Sequence, residues 1–427
     1  MPGGKKILIT ATLLNLLAWA DYTVFIYPRF VSPLRNVPCT KGALPIIGHT
    51  LASLSDTRGE EALRICRETP NSGLIRLKGL FNSDQLLVTS PKALVEVLAS
   101  RFLRIGIGDG LVVAEGVLHR HQRKHAMPRF AFRKIKDLYP LFLWKAVKMT
   151  QLIDEEAFSG GASESPSGVT DIDRWAPKAT LDIIAVAGLG HDFNTLENST
   201  DRIAVLYEHI FTPTDGARTV AACLVLFGVR LTRWLAPSAS GRIFSAVDGI
   251  RELCHQFVKE RREELKGTSH LAIGHFILLT LIAAGRGTTS ATFTWAVYLL
   301  TLHADIQTRL ALPIPTPTEP RGNNNDFDIA GTLESLPLLN GRWIDARTCK
   351  PNQTGSASTN YALLTFLHGS RSCTGQGFAR AELRASLAAF VGAFEWTLAG
   401  DNEDVVPAIV VTVKPRDGLR VKLRRAR

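Results

Sequence analysis

The stretch FLHGSRSCTG, residues 366 to 375, sets one cysteine, Cys373, between Gly369 and Gly375, with Arg371 two positions before it. A core cysteine needs no such neighbours. Glycines permit tight turns and a close backbone approach to a flat ligand. Backbone N–H groups and the start of a helix stabilise a thiolate. An apolar helical pattern, GFARAELRASLAAFVGAF, follows at once. A thiolate on a loop feeding a helix suits a nucleophile or an iron ligand.

Two other stretches could carry chemistry. AAGRGTTS, 283 to 290, puts a small pair, Ala284 and Gly285, before two hydroxyls, Thr288 and Thr289. It lies inside a long apolar segment, where small residues also serve close helix packing. HRHQRK, 119 to 124, holds His119 and Arg123 four apart, on one face of a helix. A solvated basic face is the structural alternative there.

Helices and a few strands must position these groups. Helical patterns cover 59–68, 91–102, 119–132, 138–158, 170–190, 200–211, 240–266 and 277–303, and LIRLKGL and QLLVTS (74–80 and 85–90) read as short strands. Pro91 fits a first helical turn and Pro128 an end. The chain is therefore expected to be mainly α with a small β part. Its 427 residues and 45% hydrophobic content suffice for a large core. The six cysteines show no C-x-x-C and no pairing pattern, which excludes a zinc ribbon and a disulfide scaffold. The net charge of +11 is spread over small clusters, which argues against nucleic acid and for a membrane surface or an acidic redox partner.

Residues 7–27, ILITATLLNLLAWADYTVFIY, would span roughly 31 Å as a helix, about one bilayer core. Lys5 and Lys6 precede the run, and Trp19, Tyr22 and Tyr27 suit an interface. The expectation is a membrane anchor over 1–27, a stiff proline-rich hinge over 28–48, and a globular body over 49–427. Prolines 28, 33, 38 and 45 carry the hinge reading.

The pattern F-x-x-G-x-R-x-C-x-G, filled by Phe366, Gly369, Arg371, Cys373 and Gly375, resembles the haem-binding loop of the cytochrome P450 family, and Ala379 fits its extended form. The resemblance implies haem b, with Cys373 as axial thiolate. Phe366 would pack beside the sulfur, Gly369 and Gly375 would let the loop hug the porphyrin, and Arg371 would approach a propionate. Ala284, Gly285, Thr288 and Thr289 resemble the family's oxygen-activation motif: the small pair would leave room for dioxygen and Thr288 would relay protons. His119 and Arg123 take the places of propionate-holding residues on the family's third helix. The chain most resembles fungal, microsomal members. That implies a single-pass protein of the endoplasmic reticulum with a cytosolic catalytic domain, secondary metabolism, an apolar small-molecule substrate, and electrons from NADPH–cytochrome P450 reductase.

Two departures stand out. Gly287 occupies the position where the family motif has an acid. The family's E-x-x-R helix is missing: no such spacing occurs over 291–365, although Arg342 and Trp343 resemble the motif that follows it, which places a lost segment near 340–342. An incomplete P450-like fold with impaired catalysis, from a relic or a mis-spliced product, is the alternative to a haem-thiolate monooxygenase. Peroxide-driven chemistry is a third reading.

Overall fold

A computed structural model describes residues 3–50, 58–90, 111, 114, 116–158, 168–198, 237–264, 275–310, 365–400, 405–409 and 412–426, with scattered positions between 202 and 235. The chain divides into two compact units, Met1–Phe102 with Thr359–Arg371, and Leu103–Ser358 with Ser372–Arg427. The expected helix over 91–102 and the lost segment near 340–342 lie outside the described residues.

The first unit opens with helix α1, Gly3–Asp21. At Tyr22 the pitch loosens into a π-helical stretch, Tyr22–Val31, which contains Pro28. The sequence suggested one continuous span over 7–27. Among the described residues no helix is long and apolar enough to cross a membrane. The physical reason is local: Asn15 and Asp21 interrupt the apolar run, and the geometry changes before it ends. Asn15 donates back to the Ala11 carbonyl, and Thr23 to that of Trp19, so the polar side chains are satisfied by their own backbone. Leu13, Leu14, Leu16, Leu17 and Trp19 are nonetheless exposed.

Helix α2 (Arg58–Glu68) and the antiparallel pair β1 (Leu74–Lys78) and β2 (Asp84–Val88) follow among the described residues of this unit. The proline-rich stretch is bonded to this hairpin. Buried Arg76 on β1 pairs with Asp84 on β2 and donates to the carbonyls of Pro28 and Leu34. The Ser32 hydroxyl donates to the second Asp84 oxygen, and the Arg76 N–H bonds Pro38 at 2.7 Å. Residues 28–40 are thus pinned along the hairpin.

The second unit is mostly helical. Its elements are α3 (Gly116–Ala126), α4 (Phe132–Lys136), α5 (Tyr139–Phe158), α6 (Ile172–Leu189), α7 (Pro237–Glu264), α8 (His275–Leu302), α9 (Ala304–Leu310) and α10 (Gln376–Ala393). Helix α3 stops at Ala126 because Pro128 lies in the 3₁₀ turn that follows, so the expected 119–132 helix is two pieces. The 170–190 stretch opens as a strand: β3, Val169–Asp171, precedes α6, whose N-cap Asp171 accepts from the Asp173 N–H and whose end is closed by left-handed Gly190.

Strands β4 (Phe394–Leu398), β5 (Pro407–Ile409), β6 (Val413–Pro415) and β7 (Arg420–Arg425) lie at the C-terminal end. β7 is the centre of an antiparallel β3-β7-β4 sheet, and β5 pairs with β6. Gln307 of α9 bridges both backbone groups of Trp396, and the Trp396 indole donates to the Val297 carbonyl. The sheet is thereby fixed to α8, the central helix, whose most extensive partner is α6. Phe390, Phe394, Trp396, Val297 and Ile153 form one dry cluster under the sheet, and α10 packs along α5 through Leu143, Ala146 and Ala389.

Candidate active site

Cys373 enters the second unit just before α10. Gly375 is the residue that caps this helix. The Cys373 sulfur is open to solvent on one side. The surrounding chain pushes its thiol pKa up by burial, while the Gly375 N–H and the Arg123 charge oppose that by favouring the thiolate. Arg123 on α3 donates to the Ser372 carbonyl at 2.7 Å and to its hydroxyl at 3.0 Å. Arg123, read from sequence as a propionate contact, therefore ties α3 directly to the residue beside the cysteine. His119, one turn earlier, is half-buried.

A Cβ on Gly375 would lie 3.8 Å from the Phe130 ring and 3.9 Å from the Cys373 sulfur. Phe130 in turn packs edge-on against Phe378 of α10. Phe130, Phe378 and Ser372 escaped the sequence reading, because their contacts join positions hundreds of residues apart. In the first unit, Gly369–Arg371 make a 3₁₀ turn. Gly369 is left-handed there, φ 74°, as is Leu367 before it, φ 54°. A non-glycine residue in that region is uncommon, and the turn needs it twice within three residues. Phe366 and Arg371 are part-exposed.

Helix α8 splits its motif between two faces. Ala284 and Thr288 lie on an exposed side, one turn apart, with the Thr288 hydroxyl donating to the Ala284 carbonyl at 2.7 Å. Gly285 instead faces α6. A Cβ there would stand 2.9 Å from Ile184 Cγ1 and 3.3 Å from its Cβ. Beside it, Thr180 of α6 donates to the Arg286 carbonyl at 3.0 Å. The glycine thus serves helix packing, whatever room it leaves elsewhere. Gly285→Ala gains up to about 1 kcal/mol of helix propensity. Overpacking against stiff, β-branched, buried Ile184 costs about 1–3 kcal/mol. Thermal unfolding of Gly285→Ala is expected to move down, and Ile184→Ala in the same chain to give part of the loss back.

Thr289 is buried and turns toward α10, where Glu382 lies fully buried. Burial holds the Glu382 carboxyl well above its usual 4.5, with Thr289 as a weak opposing influence. Neither carboxyl oxygen completes a hydrogen bond of good geometry. The signal in the sequence was a glutamate inside the apolar stripe Phe378, Ala381, Ala385. An acid whose folded pKa is raised is free of penalty while both folded and unfolded forms are protonated. It destabilises the fold progressively as pH rises above the unfolded value of 4.5. The Tm of Glu382→Gln should therefore match wild type at pH 4 and exceed it at pH 7. A constant difference across that range would contradict the reading.

Among the described residues no group of three or more His, Cys, Asp or Glu side chains could hold a metal ion. A single cysteine, with the Gly375 N–H at its sulfur and the Arg123 charge near by, at a helix start capped by Gly375, fits a thiolate ligand of haem and not a free-metal site. A lone cysteine at a helix start in a mainly helical fold is compatible with a haem-thiolate protein.

The comparisons name the family. The Cytochrome P450 family model matches residues 85–280 and 341–421. The chain is 31% identical to cytochrome P450 monooxygenase sphH of Aspergillus fumigatus, with 98% of this chain and 94% of that protein covered. It is 29% identical to cytochrome P450 monooxygenase ptmK of Penicillium ochrochloron, covering 95% and 96%. The alignment to sphH runs over 512 positions, more than the 427 residues here, so that relative has additional residues between matched segments. The fold is similar to a crystal structure of the cytochrome P450DA heme domain, TM-score 0.70 at 14% identity, over 92% of this chain and 97% of that one. A mutant of the same heme domain gives 0.68 at 16%. This chain belongs to the cytochrome P450 family. It is a haem-thiolate monooxygenase, and haem is its cofactor.

Proposed function

We propose that the chain inserts one oxygen atom of O2 into an apolar small molecule, with Cys373 holding haem iron and Thr288 working on the side where oxygen is activated. The observation that carries this is the Arg123–Ser372 clamp beside an accessible Cys373 sulfur. When bound, haem supplies the iron centre at which dioxygen is activated. The protein's part is to orient and to move protons. Arg123 and the Gly375 N–H favour the thiolate, Gly369 and Arg371 shape the loop that precedes it, and His119 stands on the α3 face of Arg123 for a propionate. Ala284 leaves the α8 turn low, and the Thr288 hydroxyl is the proton-bearing group on the open face.

The electron donor would be a flavoprotein reductase using NADPH. Support comes from the surface next to the clamp: Arg120, Lys124, Arg133, Lys134 and Lys136 are exposed, and no acid interrupts residues 116–136. Such a face steers an acidic partner, with a rate that falls as salt rises. Residence at the endoplasmic reticulum membrane is proposed on the exposed leucines and Trp19 of α1, which suit contact with lipid. The relatives matched, among them FUM15 of Gibberella moniliformis and ALT8 of Alternaria alternata, are fungal monooxygenases. A role in fungal secondary metabolism is proposed by similarity to them.

The test is turnover of apolar candidate substrates with NADPH and reductase, against peroxide alone. Product only with reductase supports the reading. Product from peroxide at the same rate would replace it with peroxygenase chemistry, which the glycine at 287 favours. Charge reversal at Lys134 and Lys136 should lower the reductase-driven rate at low salt and leave the peroxide-driven rate alone.

A further inference from the structure

Helix α3 carries two histidines that the mechanism above does not use. His121 and His125 stand four residues apart in the run HRHQRKH, a spacing that puts both side chains on one face of the helix, one turn apart. Both are exposed. Their ring centroids lie 4.2 Å apart. His125 Nδ1 lies 2.8 Å from the His121 carbonyl oxygen. A carbonyl can only accept, so that nitrogen is the donor, and the neutral ring keeps its lone pair on Nε2. A backbone carbonyl that fixes one ring nitrogen and leaves the other to bind is the arrangement that orients a metal-ligating histidine. Arg123 lies two residues from each member of the pair, about 200° round the helix. It turns inward to Ser372, and the two imidazoles stand on the outer side.

We propose that His121 and His125 form a two-imidazole site for one divalent transition-metal ion on the outer face of α3. Imidazole nitrogens bind such ions at about 2.0–2.1 Å, so two of them on one ion stand within about 4 Å of each other. Exposed rings already in contact, one turn apart, meet that reach by a change of side-chain rotamer and none of backbone. Two histidines at this spacing on one helix face are a zinc-binding pattern. Here Gln122, Arg123 and Lys124 stand between them, no acid occurs over 116–136, and no third His, Cys, Asp or Glu among the described residues joins the pair. Water completes the coordination sphere, and the site binds without a general base: it is a clamp on the helix and not a catalytic centre. Arg120 and Lys124 flank the pair and are exposed, so water and salt screen their repulsion of the ion. Two nitrogen donors and no carboxylate select imidazole-preferring ions over calcium and magnesium, with Cu2+ held more tightly than Ni2+ or Zn2+. An ion there ties together two turns of the helix that holds Ser372, on the side away from that clamp.

The experiment uses the untagged full chain in detergent, with and without haem, and Ni2+ as the probe. Calorimetric titration should show a saturable Ni2+ site and no uptake of Mg2+. His121→Asn and His125→Asn should each weaken that site at least tenfold. Saturation should raise the Tm of the wild type and leave that of both variants unmoved. His255→Asn, exposed on α7 with no histidine four residues to either side, should bind as the wild type does. The carbon monoxide spectrum of the haem-loaded chain should not change on Ni2+ addition, because the pair faces away from Ser372. No saturable uptake, or uptake of equal strength in folded His121→Asn and His125→Asn, would mark an adventitious ion only and overturn the proposal. Should one variant fail to fold, the other decides.

Discussion

Cys373→Ser is expected to abolish the thiolate-type absorption of the reduced carbon monoxide complex and all reductase-driven turnover, while leaving the fold nearly as stable as wild type. The two halves follow from different facts. The sulfur is the one side chain on its loop with the softness to hold haem iron as an axial anion, and serine is a far weaker ligand. Cys373 is an exposed residue and serine is nearly its size, so the exchange should shift stability within about 0.5 kcal/mol. Thermal unfolding without haem and the carbon monoxide spectrum with haem read the two effects apart. A Tm far below wild type would show Cys373 to be a structural residue. An unchanged spectrum would remove it from the iron.

Lys145→Met should do the opposite and break the fold without touching the chemistry. Lys145 is 2% exposed on α5. Its ammonium lies 2.6 Å from Asp192 Oδ2 and 3.5 Å from Asp182 Oδ2. Asp182 on α6 is fully buried and also accepts from the Thr195 N–H and hydroxyl, both at 2.8 Å, and from the Leu196 N–H at 3.2 Å. One cluster thus joins α5, α6 and the 191–196 turn. Removing its cation leaves a buried carboxylate unpaired, a loss of about 3–5 kcal/mol against a total stability of about 5–15 kcal/mol. Burial already pushes the Asp182 carboxyl above its ordinary 3.8, opposed chiefly by Lys145. Without that cation the penalty should grow as pH rises above 3.8 and shrink toward acid, where Asp182 is protonated. Denaturant unfolding at pH 4 and pH 7 measures it. Asp182→Asn in the Lys145→Met background should recover part of the loss at pH 7. Equal losses at both pH values would contradict the unpaired-charge explanation.

Long helices were legible because their apolar period is long: α5, α7 and α8 fall where the pattern places them. The cysteine loop was legible because its glycines and arginine are fixed in type and spacing. Strands β3 to β7 were not, since each is three to six residues long and its pairing joins distant segments, as Val169 does with Lys422. The oxygen-side motif was legible as residue types only. Which of its members face a neighbouring helix depends on Ile184 and Glu382, which no local pattern connects to Gly285 and Thr289. For the proline-rich stretch, the stiffness shows in sequence, whereas the Arg76–Asp84 pair that fastens it lies about forty residues on.

The most direct measurement is the carbon monoxide difference spectrum of the reduced full-length chain, purified in detergent and supplied with haem. The expected result is a red-shifted, thiolate-type Soret band at stoichiometric haem. Haem uptake with the band at the position of a neutral or nitrogen ligand, or no uptake at all, would contradict the assignment of Cys373 as the axial thiolate.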